Sequence, residues 1–242
     1  MTAAGGRPAK DEGSGIKDEE RHVTPQSVNE RTTARIEAFS DGVFAIAITL
    51  LVLELHVPKP AELGSQSLWN MLVADWPSYF GFVLSFFTIL IMWFNHHKLF
   101  TYIHHSDRVL PYANGLLLFF ITLTPWPTAL MAEYIGQTEE RTAVEVFAGF
   151  FVLMALAFNF LWRYASHHGR LLGQDVDQEV VDRISRQYLL GPTGYGVAFI
   201  LSFFTTTGCL SVSMVLAIFF AFTGASVRGI GEKVRRNKTQ NA

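Results

Sequence analysis

An all-α, polytopic membrane protein with six transmembrane helices is the fold class that this sequence predicts, and three observations predict it. Half of its 242 residues are apolar, 21 of them Phe, while only 17% are charged, against about 25% in a soluble domain. The charges gather between long apolar runs, as they do in chains that cross a bilayer repeatedly. Lys and Arg are also divided unequally among the connecting segments. With the amino terminus inside, seventeen of the nineteen fall on inner segments, leaving only Lys59 and Arg141 outside. That bias sets orientation and predicts both termini on the cytoplasmic side.

The elements follow in order. Residues 1–30 are polar, without the apolar core of a signal peptide, and read as a flexible cytoplasmic tail. Residues 31–228 are the six-span membrane domain, and 229–242 a basic cytoplasmic tail. Thr32 or Thr33 is placed to cap the first span, 36–56. Pro58 and Pro60 end that span in a loop running through Gly64, Ser65 and Gln66. A second span, 77–99, starts with Pro77 in its first turn and ends in Trp93-Phe94-Asn95-His96-His97-Lys98. The third, 109–133, carries Pro125 and Pro127, which kink it or end its regular helix early. The fourth is 143–164, with Asn159 inside it. A short cytoplasmic helix is expected at 176–188, then a fifth span at 189–206, a turn near Thr207-Gly208, and a sixth span at 209–227.

Several function classes drop out at this point. The net charge of −2 offers nothing to nucleic acid. The single cysteine, Cys209, excludes an intramolecular disulfide and a cysteine cluster. No phosphate loop, nucleophile elbow or dinucleotide turn is present, so no cofactor is called for. The pairs His96-His97, His104-His105 and His167-His168 invite a histidine-rich membrane metalloenzyme. Adjacent side chains on a helix point about 100° apart, however, whereas metal-binding helices space their histidines three or four residues apart. Thr205-Thr206-Thr207-Gly208-Cys209 is too short for a carbonyl filter and reads as a turn.

The first span has two parts that carry chemistry. Arg35, Ser40 and Asp41 enter the membrane at the depth where the second span ends, so they can meet Trp93, Asn95, His96 and His97. Ionisable groups at that depth are costly unless paired. Arg35 or a histidine is the available cation for Asp41. The cluster is therefore either a fixed network that packs the helix or, since histidine titrates near neutrality, a proton or ion site. The second part is a line: Arg35, Phe39, Gly42, Ile46, Thr49 and Leu53 step by four and three down one face. That face either packs within the chain or, if copies of the helix surround an axis, forms a ring in which Ile46 constricts by width and dewetting and Thr49 offers hydroxyls to a cation.

Arg35-x-x-x-Phe39-Ser40-Asp41 followed by an Ile/Leu/Thr helix resembles the signature of the transmembrane-protein-175 family of potassium channels. The Trp93-x-Asn95-His96-His97 ending of the second span, the six spans and the inside termini are similar to its bacterial and archaeal members. The resemblance covers about 31–228; the long amino-terminal tail is outside the family pattern. It implies a potassium-permeable cation channel in a prokaryotic cell membrane, assembled as a homotetramer with the first helix lining the pore. By position, Ile46 then matches the narrowest hydrophobic residue, Thr49 the hydroxyl layer linked to selectivity, and Leu53 a further apolar layer. Arg35, Ser40, Asp41, Asn95 and His96 or His97 match the network that anchors the pore helix, with Phe39 and Trp93 belonging to the motifs. The implied partners are potassium ions, lipid and further copies of the chain. A secondary transporter and a metalloenzyme are the rival classes.

Overall fold

The computed structural model describes residues 25–174 and 176–226. Among them the regular secondary structure is helical, joined by loops and turns, with one isolated bridge between Ile103 and Leu172. The helices are α1 (Pro25–Leu50), α2 (Leu68–Ala74), α3 (Trp76–Phe100), α4 (Leu110–Leu123), α5 (Pro125–Tyr134), α6 (Glu140–Ser166), α7 (Gln178–Ser202) and α8 (Thr206–Ser226). Four stretches among the described residues are long and apolar enough to cross a membrane: Thr32–Leu53, Trp76–Phe100, Leu110–Tyr134 and Glu140–Gly169. Helix α8 holds a shorter apolar segment, Thr206–Phe222.

Helix α6 sits at the centre, packed against α4, α5, α7 and α8, while α3 packs against α1, α5 and α8. Ala143, Ala148, Ala155, Ala157 and Ala165 of α6 are all buried. Small side chains at helix interfaces let backbones approach, which matters in lipid because apolar burial there brings no hydrophobic gain over the acyl chains. Gly81 of α3 serves the same end. A Cβ at that position would lie 3.1 Å from the Ala132 Cβ of α5, so the two helices touch where glycine removes the side chain.

Several boundaries differ from the sequence reading, each for a local reason. The chain is already helical at Pro25, so Thr32 and Thr33 lie inside α1, and Thr33 donates to the His104 carbonyl instead of capping. The remainder of the 1–30 tail and the 229–242 tail lie outside the described residues. The loop between α1 and α3 holds an unforeseen helix, α2, capped by Ser67, whose Oγ accepts the Asn70 N–H at 3.2 Å. The third apolar stretch breaks at Thr124, immediately before Pro125, into α4 and α5. The segment Thr206–Cys209 belongs to α8, and Thr205 Oγ1 accepts the Gly208 N–H at its start.

The largest difference is α7. The expected cytoplasmic helix and the first part of the fifth span form one 25-residue helix that continues straight through Pro192. A proline there deprives the carbonyl four residues earlier, that of Tyr188, of its intrahelical partner. Asn159 of α6 supplies the missing donor, with Nδ2 3.0 Å from the Tyr188 oxygen. The asparagine inside the fourth apolar run and the proline inside α7 thus account for one another.

At one end of the bundle, two loops are stapled together. The N–H groups of His104 and His105 donate to the Leu171 carbonyl, and that of Gly173 to the Tyr102 carbonyl. Asp107 completes the joint. Its Oδ1 accepts the N–H groups of Val109 and Leu110 at the start of α4, and its Oδ2 accepts from Tyr164 and, at 2.8 Å, from Arg170. Partial burial pushes this carboxyl up, but the Tyr164 hydroxyl, the two amides and the Arg170 guanidinium outweigh it and hold Asp107 below its usual range.

Two predictions follow from these joints. Asn159→Leu costs about 1–2 kcal/mol in SDS-driven unfolding from mixed micelles. The cost shrinks in a Pro192→Ala background, where the new N–H reaches the Tyr188 carbonyl by itself; equal costs in both backgrounds contradict the pairing. For Asp107 the depressed carboxyl contributes stability that is full above its unfolded pKa, about 3.9. That contribution fades as pH falls through the lower folded value. The thermal midpoint of Asp107→Asn therefore lies below wild type at pH 6, and the gap closes below about pH 4; a gap that stays constant down to pH 3 rules the effect out.

Candidate functional site

Helix α1 and the 3-10 turn that continues it, Leu51–Glu54, present two faces of opposite character. Ser40, Phe44, Ala47 and Leu51 turn inward toward α3 and α4 and are buried, Phe44 and Leu51 to within 1% of full burial. Arg35, Phe39, Gly42, Ile46, Thr49 and Leu53 turn away from the chain and are all exposed; Ile46 is 59% and Leu53 75% accessible. The two series follow the same four-three spacing on opposite sides, which is what separates them. Among the described residues nothing packs over the outward line.

The inward face is fastened at the end of α3, where three consecutive residues point in different directions about 100° apart. His96 is fully buried, with its ring stacked on Phe100 at 4.5 Å and against Phe44 of α1 at 5.3 Å. Its Nε2 lies 2.9 Å from Asn114 Oδ1, and Asn114 Nδ2 donates to Ser40 Oγ at 2.9 Å. Ser40 in turn donates to the Ile36 carbonyl at 2.8 Å. Every direction in this relay is determined. Asn114 gives its amide hydrogen to Ser40, so its oxygen accepts, and His96 must carry its hydrogen on Nε2. Nδ1 is then a bare acceptor, with no donor among the described residues. A second ring hydrogen on Nδ1 would meet no acceptor among the described residues.

His97 and Trp93 make a second attachment nearer the surface. His97 Nδ1 is 3.0 Å from Glu37 Oε1, and its ring stacks on Trp93 at 5.9 Å. Trp93 Nε1 donates to Asp41 Oδ1 at 2.8 Å. The partner of Asp41 is thus an indole N–H, not Arg35. Arg35 and Asp41 are six residues apart on α1 and fall on different faces, and Arg35 is on the exposed one.

Of the eight residues expected in the motifs and the network, the structure brings together Ser40, Asp41, Trp93, His96 and His97. Arg35 and Phe39 lie on the outward face. Asn95 is directed to α8, where Nδ2 donates to the Phe220 carbonyl at 3.4 Å as well as to Ile91 at 2.9 Å. Two participants escaped the sequence reading. Asn114 is the lone amide in the apolar run of α4, a feature that by itself marks a polar joint inside a membrane. Glu37 precedes Asp41 by one helical turn and so shares its side of α1. Thr49 donates back to the Ala45 and Ile46 carbonyls, each at 3.0 Å, which leaves its oxygen lone pairs directed outward.

The three histidine pairs do not converge. Among the described residues no three His, Cys, Asp or Glu side chains form a metal-holding group. His96 and His97 serve α1 by separate routes, His104 lies in the loop staple, and His167 and His168 contact one another in the turn after α6.

If the relay holds α1, Asn114→Ala orphans His96 Nε2 and leaves Ser40 Oγ with only its own bond to the Ile36 carbonyl. The expected loss is about 1–2 kcal/mol, with hydrogen exchange accelerated selectively over residues 36–47. Uniform acceleration across the bundle, or none, contradicts the relay.

Comparison with known proteins supplies the wider setting. Residues 35–125 match the family described as endosomal/lysosomal potassium channel TMEM175. A potassium channel of Chamaesiphon minutus is 50% identical over 189 residues, spanning 78% of this chain and 93% of that one. A potassium channel of Streptomyces collinus is 41% identical over 196 residues, 81% and 94% of the two chains. In three dimensions the chain is similar to the crystal structure of a lysosomal potassium-selective channel TMEM175 homolog from Chamaesiphon minutus. The TM-score is 0.72 at 46% identity, covering 80% of this chain and 98% of the other.

Proposed function

This chain belongs to the TMEM175 family of potassium channels, and on that premise we propose that it is a potassium-permeable channel whose pore is lined by α1 in a homotetramer. The observation that carries this reading is the outward face of α1. A helix held on one side by a buried polar relay leaves Ile46, Thr49 and Leu53 exposed in a line, with nothing among the described residues to cover them. Copies of that face around an axis give an apolar ring, a hydroxyl layer and a second apolar ring. Ile46 is the constriction, which passes or blocks water by its width. Thr49 directs hydroxyl oxygens at a partly dehydrated cation, a role open to it because its hydrogen is returned to the helix backbone. Leu53 adds an apolar layer beyond.

In this reading α1, α3, the α4–α5 pair, α6, α7 and α8 each cross the bilayer, six spans in all. The excess of Lys and Arg on the inner segments supports cytoplasmic termini, and the prokaryotic relatives support a cell-membrane location. Transport is passive: an ion moves down its gradient and no group in the chain undergoes covalent change. Ser40, Asp41, Trp93, Asn114, His96, His97 and Glu37 position the pore helix and do not touch the ion, while Arg35 and Phe39 stand at one end of the pore face.

Single-channel recording from the purified protein in a planar bilayer tests the reading. Ile46→Asn wets the constriction and raises conductance, while Thr49→Val lowers the preference for potassium over sodium. A pore axis along α1 is ruled out by wild-type conductance in the first variant together with wild-type selectivity in the second. Saturable, substrate-coupled flux without discrete ohmic current marks a transporter instead.

A further inference from the structure

Asn95 stands apart from the machinery that holds α1, and its amide is half used. Nδ2 meets the Ile91 and Phe220 carbonyls, which fixes the orientation of the group, because a flipped amide would set Oδ1 against two carbonyl oxygens. Oδ1 then has no donor among the described residues, although Asn95 is only 5% exposed. A buried amide oxygen without a partner is rare and calls for an explanation.

Asn95 lines the first of two small chambers inside the bundle, of about 70 Å³, between α3, α6, α7 and α8. A second, of about 80 Å³, continues toward the start of α3, where its wall includes Phe80 and Leu84. Thr88, Phe151, Tyr195 and Ala217 belong to both walls, so the two chambers adjoin. Neither hydroxyl at this partition, that of Thr88 or of Tyr195, has a hydrogen-bond partner among the described residues. In the second chamber Ser213 is buried, with only the thiol of Cys209, a weak partner, beside its Oγ. The Tyr188 hydroxyl, by contrast, is committed to the Asn95 backbone carbonyl at 3.2 Å.

Size and polarity together select the occupant. At about 30 Å³ per molecule in the liquid, each chamber has room for about two waters, whereas sites for drug-sized molecules start at about 300 Å³. Walls of Phe, Met and Leu alone would stay dry. Here Thr88 and Asn95 of α3, Tyr195 of α7 and Ser213 of α8 all open on the same space, and a buried polar group left without a partner is costly. Water supplies what each lacks, a donor for Asn95 Oδ1 and a donor or acceptor for each hydroxyl. Asn95 and Thr88 lie two turns apart on one face of α3, about 10 Å along the axis. A single water cannot bridge that distance, and a short file can.

We propose that the two chambers hold a file of ordered waters, running from Asn95 Oδ1 to the Thr88 and Tyr195 hydroxyls and on to Ser213. The file is a polar joint between α3, α7 and α8 made through solvent. The walls of both chambers come from elements other than α1, so the file is separate from the outward face of that helix.

Crystals of the intact protein test this in two ways: by ordered solvent in the native form, and by anomalous scattering after pressurisation with xenon, which enters empty apolar cavities. Solvent peaks are expected within hydrogen-bonding distance of Asn95 Oδ1 and of the Thr88 and Tyr195 hydroxyls, with no xenon in either chamber. Thr88→Val combined with Tyr195→Phe removes both hydroxyls and nearly keeps the shape. That variant is expected to lose the solvent peak at the partition and to admit xenon there. Xenon in the wild-type chambers overturns the proposal, as does an Asn95 Oδ1 without a solvent peak or a hydrocarbon chain along the chambers. A partition peak that survives in the double variant overturns it as well. Xenon is located at modest resolution, so it decides the matter where waters are not visible, and the wild-type crystals decide it should the variant fail to assemble. No ion flux is read, so the result stands apart from the test of the pore along α1.

Discussion

Helix α1 is held along one face only, and the relay from His96 through Asn114 and Ser40 to the Ile36 carbonyl is what holds it. In water a helix with Phe44, Ala47 and Leu51 on its inner face would dock by apolar burial. Inside a bilayer that term nearly vanishes, because lipid tails are as apolar as the neighbouring helix. Directional polar contacts and close packing must then fix the helix. The relay does this with groups that satisfy each other in one order, so α1 has one rotation and one height relative to α3 and α4. The outward face, with Ile46, Thr49 and Leu53, inherits its direction from that attachment.

The end of α3 divides its work by consecutive residues. Asn95 engages α8, His96 the relay, and His97 the Glu37 carboxylate. A tripeptide on a helix fans over about 200°, so three neighbours reach three different elements. The same fan that makes adjacent histidines unsuited to a shared metal makes them suited to a junction. Trp93, one turn earlier, adds an indole donor for Asp41 and a flat surface for His97.

The all-helical, multi-pass class was legible in the sequence because it depends on composition and on runs of apolar residues, both local properties. The family was legible from Arg35-x-x-x-Phe39-Ser40-Asp41 and Trp93-x-Asn95-His96-His97, since short motifs keep their spacing. The break at Pro125 was legible for the same reason. What was not legible depends on pairs far apart in the chain. Nothing in the residues around Pro192 shows that Asn159, thirty-three residues earlier, faces the Tyr188 carbonyl. Asn95 and Asp41 each had a plausible partner by depth in the membrane. Depth, however, does not specify which side of a helix a residue occupies. Asn114 was visible as a lone amide, yet its role needs the two groups that it bridges.

The Asn159–Tyr188 contact has a consequence for how α6 and α7 come together. Along α7 most backbone oxygens are taken up by the helix itself, and the proline leaves an open one at a chosen height. That open oxygen works as an index mark, accepting the amide from α6 in one axial setting and none a turn above or below. Two smooth apolar helices in lipid have many nearly equivalent ways to slide past each other; a notch and a tooth leave them one. The proline and the asparagine therefore act as one locating device: losing the tooth leaves the notch unfilled, and losing the notch leaves the tooth surplus.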